Sequence, residues 1–156
     1  MRCIDLKQWD QLDAILTPDA RFSGGTTAYG QTAEISGTAA FIAVLQARLG
    51  PAVLTEHILG HPEITVDGDT ATGFWSLRER KLATAHRMIT VSTGFCEERY
   101  ERGSDRCWRI TRIKYHRNYE IVMSLDDLPS FKLIAQPERG AADRPAVLAP
   151  RSDIWA

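Results

Sequence analysis

Four long runs of alternating apolar and polar residues dominate the second half of the chain, and short polar turns separate them. Leu54 to Val66 leads into Asp67-Gly68-Asp69, a hairpin turn signal, and Thr70 to Leu82 then repeats with period two. Met88 to Glu101 is a third run, and Gly103-Ser104-Asp105 turns it into a fourth that begins near Trp108. Long strands joined by short turns predict an antiparallel meander. The first half reads differently. Trp9, Leu12, Ile15 and Leu16 recur at helical spacing and predict a helix over 8–16, stopped by Thr17-Pro18. Ala20 to Tyr29 alternates weakly around Gly24-Gly25, which predicts a strand or hairpin with a mobile tip. Ser36 or Thr38 is placed to cap a second helix whose stripe is Phe41, Ile42, Leu45 and Leu49, ended by Gly50-Pro51. The fold class that follows is α+β: a cone-shaped α+β barrel in which helices pack on a curved antiparallel sheet and leave a pocket. One domain is expected over 1–128. From Pro129 to residue 156 the chain turns to Pro, Ala and Arg without periodicity, which predicts a disordered tail.

Composition changes this picture little. The 156 residues are 44% hydrophobic and 25% charged, ordinary for a soluble globular protein. A formal net charge of -1 supplies no field to attract nucleic acid or an anionic membrane, and neither is expected as a partner. Cys3, Cys96 and Cys107 are odd in number and far apart, without C-x-x-C spacing, so they read as free thiols and no metal site is indicated. With neither a signal segment nor a long apolar span in the sequence, a cytoplasmic location is the expectation.

The alternation decides which polar side chains share the pocket wall. Ala71, Gly73, Trp75, Leu77 and Glu79 fall on one face, so a carboxylate ends an apolar row; a place in solvent beside Arg78, Arg80 and Lys81 is the competing reading. In the last strand Trp108 and Ile110 share one face, and Ile113, Tyr115, Arg117 and Tyr119 the other, so a bulge near Thr111-Arg112 is needed to continue the apolar side. Arg117 then serves either a salt bridge to Glu120 or Asp5, or a substrate oxygen on which negative charge develops. His57 shares its strand face with Val53, Thr55 and Leu59, and Asp5 can reach it if the N-terminal segment crosses the mouth of the cone. An imidazole held by a carboxylate is a general base that needs no metal.

These residues resemble the SnoaL-like group of the nuclear-transport-factor-2-like superfamily. The resemblance rests on Arg2-Cys3-Ile4-Asp5 with Trp9-Asp10 and Leu12, and on His57 with Pro62-Glu63-Ile64-Thr65-Val66-Asp67. Thr70-Ala71-Thr72-Gly73 with Trp75, Tyr100-Glu101 with Trp108, and Tyr115-His116-Arg117 complete it. Within that group the chain is most similar to the bile-acid 7α-dehydratases and more distantly to scytalone dehydratase. The resemblance implies that His57 is the catalytic histidine, Asp5 the acid that orients it, Arg117 a pocket arginine, and Glu79 the counterpart of an aspartate. Trp75, Phe41, Tyr115 and Tyr119 are the expected substrate-pocket residues. It also places a catalytic tyrosine and most of a first helix just before Met1, so either the true start lies further upstream, which is the expectation, or the protein works without that tyrosine and that helix. The expected activity is a cofactor-independent dehydratase or isomerase acting on a hydroxylated steroid-like or polyketide-like carbonyl compound. A non-catalytic small-molecule-binding or assembly module is the alternative. A homodimer or homotrimer is implied, and neither metal nor organic cofactor.

Overall fold

The four long strands form where the alternation puts them, in a computed structural model that describes residues 1–24 and 34–134. They are β3 (Val53–Asp67), β4 (Thr70–Ala83), β5 (Met88–Arg102) and β6 (Trp108–Ser124), each antiparallel to the next. Gly68, with φ 57°, supplies the left-handed turn between β3 and β4. The first half departs from expectation in three places. Residues 8–16 are not a helix: a single α-helical turn, α1 (Arg2–Asp5), precedes a 3₁₀ turn at Trp9–Gln11, and Leu16 opens β1 (Leu16–Ser23). So short a segment forms a helix only if packing demands it, and here Leu12, Leu16, Ala20 and Phe22 join one core instead. Pro18 sits inside β1 at an interruption of the pairing between Leu16 and Arg21, where its missing N–H costs no ladder bond.

The sheet is also not purely antiparallel. Its order is β2-β1-β6-β5-β4-β3, with β2 being Ile35–Ser36, and β1 runs parallel to β6. A parallel neighbour requires a long return through the chain, here the whole α2 and β3 to β5 excursion. The third departure is the cap of α2 (Thr38–Arg48). Its N-cap is Gly37 at φ 94°, while the Thr38 hydroxyl bonds the Thr17 carbonyl at 2.7 Å and so ties the helix start to β1. Phe41 on α2 stacks on Phe22 of β1 at 3.5 Å between centroids, which fixes the helix over the concave face of the sheet.

Bulges set what each face carries. Arg99 pairs with Arg112 and Tyr100 with Ile110, so Thr111 is the extra residue, within the Thr111-Arg112 stretch that the apolar pattern requires. A second irregularity pairs Thr93 with Tyr119 and Gly94 with Arg117, leaving Asn118 over. Parity flips there, so Tyr119 turns to the outer face and is 53% exposed, contrary to its expected place in the pocket. Glu120 turns inward in its stead. Ile58, Phe74 and Phe95 stand exposed on the same outer face. The tail expected from Pro129 onward lies outside the described residues after Ile134, as does the tip of the Ala20 to Tyr29 segment after Gly24.

Candidate active site

Asp5 and His57 meet because a terminal turn lands on a sheet edge. β3 is an edge strand, so the backbone N–H of His57 is free to bond outside the sheet, and Asp5 Oδ2 accepts it at 3.1 Å. Asp5 Oδ1 lies 2.6 Å from His57 Nδ1. One carboxylate thereby grips both backbone and ring of the same residue. Lys7, with φ 58°, completes the tether through a 3.3 Å bond from its ammonium to the Thr55 hydroxyl, two residues along β3.

The register of β3, β4 and β5 builds the rest. His57 pairs with Glu79, and Glu79 with Ser92, so the three form one rung on the inner face. Glu79 Oε1 stands 3.3 Å from His57 Nε2 and 3.1 Å from Lys81 Nζ, and Glu79 Oε2 accepts from the Ser92 hydroxyl at 2.8 Å. Arg117 comes within 3.9 Å of Glu79 and ion-pairs with Glu120, three residues along β6 across the Asn118 bulge. Glu79 is therefore a pocket acid, and solvent is not its place. Arg117 takes the salt bridge to Glu120 and not one to Asp5.

Electrostatics follows from this packing. Burial by itself would lift the Glu79 carboxyl, but the His57 hydrogen bond and the Lys81 charge outweigh it and hold Glu79 down at about 2. Burial would depress His57, but Asp5 and Glu79 together raise it above its ordinary 6.5. Asp5, likewise disfavoured by burial, ends below its ordinary value through His57. A group at about 2 is too weak a base to remove a carbon-bound proton at neutral pH. His57 is the group of this cluster whose proton affinity lies nearest neutral pH, and Glu79 is the anion beside it.

A cavity of about 390 Å³ opens beside these groups. His57, Glu79, Lys81 and Arg117 occupy one part of its wall, and Phe22, Phe41, Leu45, Leu77 and Ile113 make most of the rest apolar. Phe41 and Tyr115 line it as expected. Trp75 does not: it stands behind the wall, with its indole N–H donating to the Tyr100 hydroxyl at 2.8 Å. Lys81, Ser92 and Glu120 enter the site although periodicity did not single them out as pocket groups. The hairpin register would have found Ser92, and the Asn118 bulge Glu120. Cys96, buried beside Glu98 and Glu79, is pushed up to about 12 and is no nucleophile. Among the described residues no group of three or more His, Cys, Asp and Glu has an arrangement that could hold a metal ion. No helix is long and apolar enough to cross a membrane among those residues.

Residues 1–114 match the SnoaL-like domain. Several solved structures share the fold. A Kribbella flavida protein, Kfla4162, is 21% identical with a TM-score of 0.68, covering 76% of this chain and 83% of its own. A putative scytalone dehydratase from Novosphingobium aromaticivorans is 16% identical with a TM-score of 0.66, covering 77% of each chain. A type 2 hexachlorocyclohexane dehydrochlorinase, LinA, is 17% identical with a TM-score of 0.67, covering 78% of this chain and 80% of its own.

Proposed function

The chain belongs to the SnoaL-like domain family, and from that premise and the site geometry we propose that it is a cofactor-independent dehydratase acting on a hydroxylated steroid-like or polyketide-like carbonyl compound. The observation that carries the reading is the 2.6 Å contact of His57 Nδ1 with Asp5, which leaves Nε2 on the charged side of the cavity, beside Glu79, as the ring nitrogen a substrate would meet. Two solved neighbours bear names, dehydratase and dehydrochlorinase, that denote loss of HX from adjacent carbons, and this supports the reaction class.

Asp5 fixes the tautomer with the proton on Nδ1. His57 Nε2 removes a proton from the carbon next to the substrate carbonyl, and the C–H electron pair enters an enolate. Arg117 or Lys81 stabilises the enolate oxygen. The enolate re-forms the carbonyl, the β C–O bond breaks, and the proton on Nε2 leaves with the hydroxide as water. Base and enzyme are restored, and the product is an α,β-unsaturated carbonyl compound. Isomerisation differs only in the last step, where the same proton returns to carbon. Glu79 must part from Nε2 as substrate enters, and its bonds to Lys81 and Ser92 keep it paired when it does.

The test is elimination from a β-hydroxy ketosteroid, followed by the ultraviolet absorbance of the conjugated product. His57→Ala is expected to lower kcat by about 10²- to 10⁴-fold, the usual worth of a general base, and Asp5→Asn by less. Unchanged elimination in His57→Ala would refute the mechanism. A second reading, a non-catalytic binding module, has one observation in its favour: Glu79 already occupies Nε2. Ligand binding without turnover in the wild type, and with no effect of His57→Ala, would establish it.

A further inference from the structure

The cavity wall carries a second acid that the proposed reaction leaves unused. Glu98 lies on the inner face of β5, six residues beyond Ser92 and so about 20 Å along an extended strand from the Glu79 rung. It is 4% exposed and lines the same cavity as His57. One of its oxygens is fixed from behind: Trp75 Nε1 donates to the Tyr100 hydroxyl, and that hydroxyl donates to Glu98 Oε2. Gly73, opposite Glu98 in register, makes room for this relay, since a Cβ there would lie 3.1 Å from both Trp75 Nε1 and the Tyr100 hydroxyl. The other oxygen, Oε1, has no hydrogen-bond partner among the described residues. That oxygen is not one of the fully buried polar atoms that lack a partner, so it is open to the cavity, where a ligand that expels water must supply the hydrogen bond water gave.

The ligand group can be named from its chemistry. Burial favours the protonated form of Glu98 and outweighs the Tyr100 hydrogen bond and the charge of the chain's amino group, which favour the ionised one, so a ligand group able to meet either form suits it. A carbonyl accepts only from the protonated form, and an ammonium donates only to the ionised one. A hydroxyl does both. Between Glu98 and the His57 cluster the wall is apolar, with Phe22, Leu77 and Ile113 among its residues.

We propose that Glu98 is a ligand-binding residue that takes a hydroxyl at the end of the substrate remote from the carbon on which His57 acts. The ligand is then an elongated, apolar ring system with an oxygen function at each end. This rests on the dehydratase reading for its orientation, but binding tests it without any turnover.

The probes are epiandrosterone, whose 3-hydroxyl is the group offered to Glu98, and its 3-deoxy counterpart; the steroid's two oxygens are about half as far apart as the path along β5, so the comparison tests the Glu98 end alone. Their affinities for the full chain are measured by calorimetry. The wild type is expected to bind the hydroxylated probe about 10- to 100-fold more tightly, the range for a hydrogen bond to a charged or buried partner. In Glu98→Leu with Tyr100→Phe, paired so that no tyrosine hydroxyl loses its acceptor, the two probes should bind alike. Glu98→Gln, which keeps the acceptor for Tyr100, should narrow the preference several-fold if the double variant does not fold. Equal affinity in the wild type, failure to bind epiandrosterone, or a preference unchanged in these variants would overturn the proposal. His57→Ala should keep the full preference, so a chain that discriminates without turning over loses the reaction and keeps this site.

Discussion

Replacing Glu79 by Gln removes the charge beside the base and little else. Gln has nearly the same shape, and its one carbonyl oxygen can keep the place of Oε1 beside His57 and Lys81, while its amide N–H donates to the Ser92 hydroxyl in place of Oε2. The two side chains are 7% and 10% exposed and 3.3 Å apart, which at an effective dielectric near 20 gives an attraction of about 5 kcal/mol between imidazolium and carboxylate. That is a ceiling, because Asp5 keeps its own hold on the ring and the neutral imidazole also hydrogen-bonds. A neighbouring opposite charge at this range is worth about 1.4–4 kcal/mol of preference for the protonated ring. Lys81 and Arg117 add to the effect in the same direction, since without Glu79 their positive charges oppose a proton on His57. In the proposed mechanism the working form of His57 is the neutral one, so activity in the wild type should rise with pH along a limb centred above 6.5. Glu79→Gln should move that limb to lower pH. The assay is kcat/KM against pH for both proteins, with the His57 ring followed by NMR in the absence of substrate. The position of the limb carries the test, since the plateau also registers any change in how Lys81 and Arg117 are held. A limb that stays in place, or moves to higher pH, would refute the assignment of Glu79 as counter-ion to the base.

Two further outcomes follow from the same contacts. His57 is raised by folding, so its contribution to stability is complete below 6.5 and is lost as pH climbs through its folded value; Glu79 is lowered, so its contribution is complete above 4.5 and is lost as pH falls towards about 2. The gap in Tm between wild type and His57→Ala should therefore be widest from about pH 4.5 to 6.5 and close on both sides, whereas a gap independent of pH would contradict the linkage. Gly94 faces a tighter constraint: a Cβ there would lie 2.1 Å from the His116 carbonyl oxygen and 2.6 Å from the Tyr115 ring. Gly94→Ala should cost about 1–3 kcal/mol in urea denaturation and lower activity by shifting Arg117, its partner across the bulge; a fully stable variant would show that β6 yields there.

The legible part of this chain is the part governed by local rules. Period-two alternation and the Asp67-Gly68-Asp69 turn place β3 and β4 to within a residue of their bounds. The pairing of His57 with Glu79 needs one thing more, because a bulge between Gly60 and Glu63 shifts the register by one, and counting back from the turn alone would set His57 against Arg80. The first 24 residues obey no such rule. Trp9, Leu12 and Leu16 have helical spacing, yet the core that buries Leu12 and Leu16 is built with Ala20 and Phe22, and tertiary burial overrides the local period. The parallel pairing of β1 with β6 depends on partners some ninety residues apart in sequence, which no local pattern encodes. Tyr119 shows the cost of one undetected bulge. Every residue after Asn118 changes face, so an expected pocket tyrosine is exposed and Glu120 arrives beside Arg117 in its place.

The site also shares its bonds with the fold in a way that bears on how loss of Asp5 should be interpreted. α1 is only four residues long, too short to stand on its own, and its link to β3 consists largely of Asp5 on His57 and Lys7 on Thr55. Asp5 therefore holds the His57 ring, the orienting role the proposed mechanism gives it, and also anchors the turn that carries it to the cavity edge. Asn in its place can still accept the His57 backbone N–H through one oxygen, but it cannot hold the ring as an anion does. The two roles separate by pH. Loss of the charge lowers the proton affinity of His57 and so shifts the activity limb, whereas loss of the anchor lowers the plateau at every pH without moving the limb.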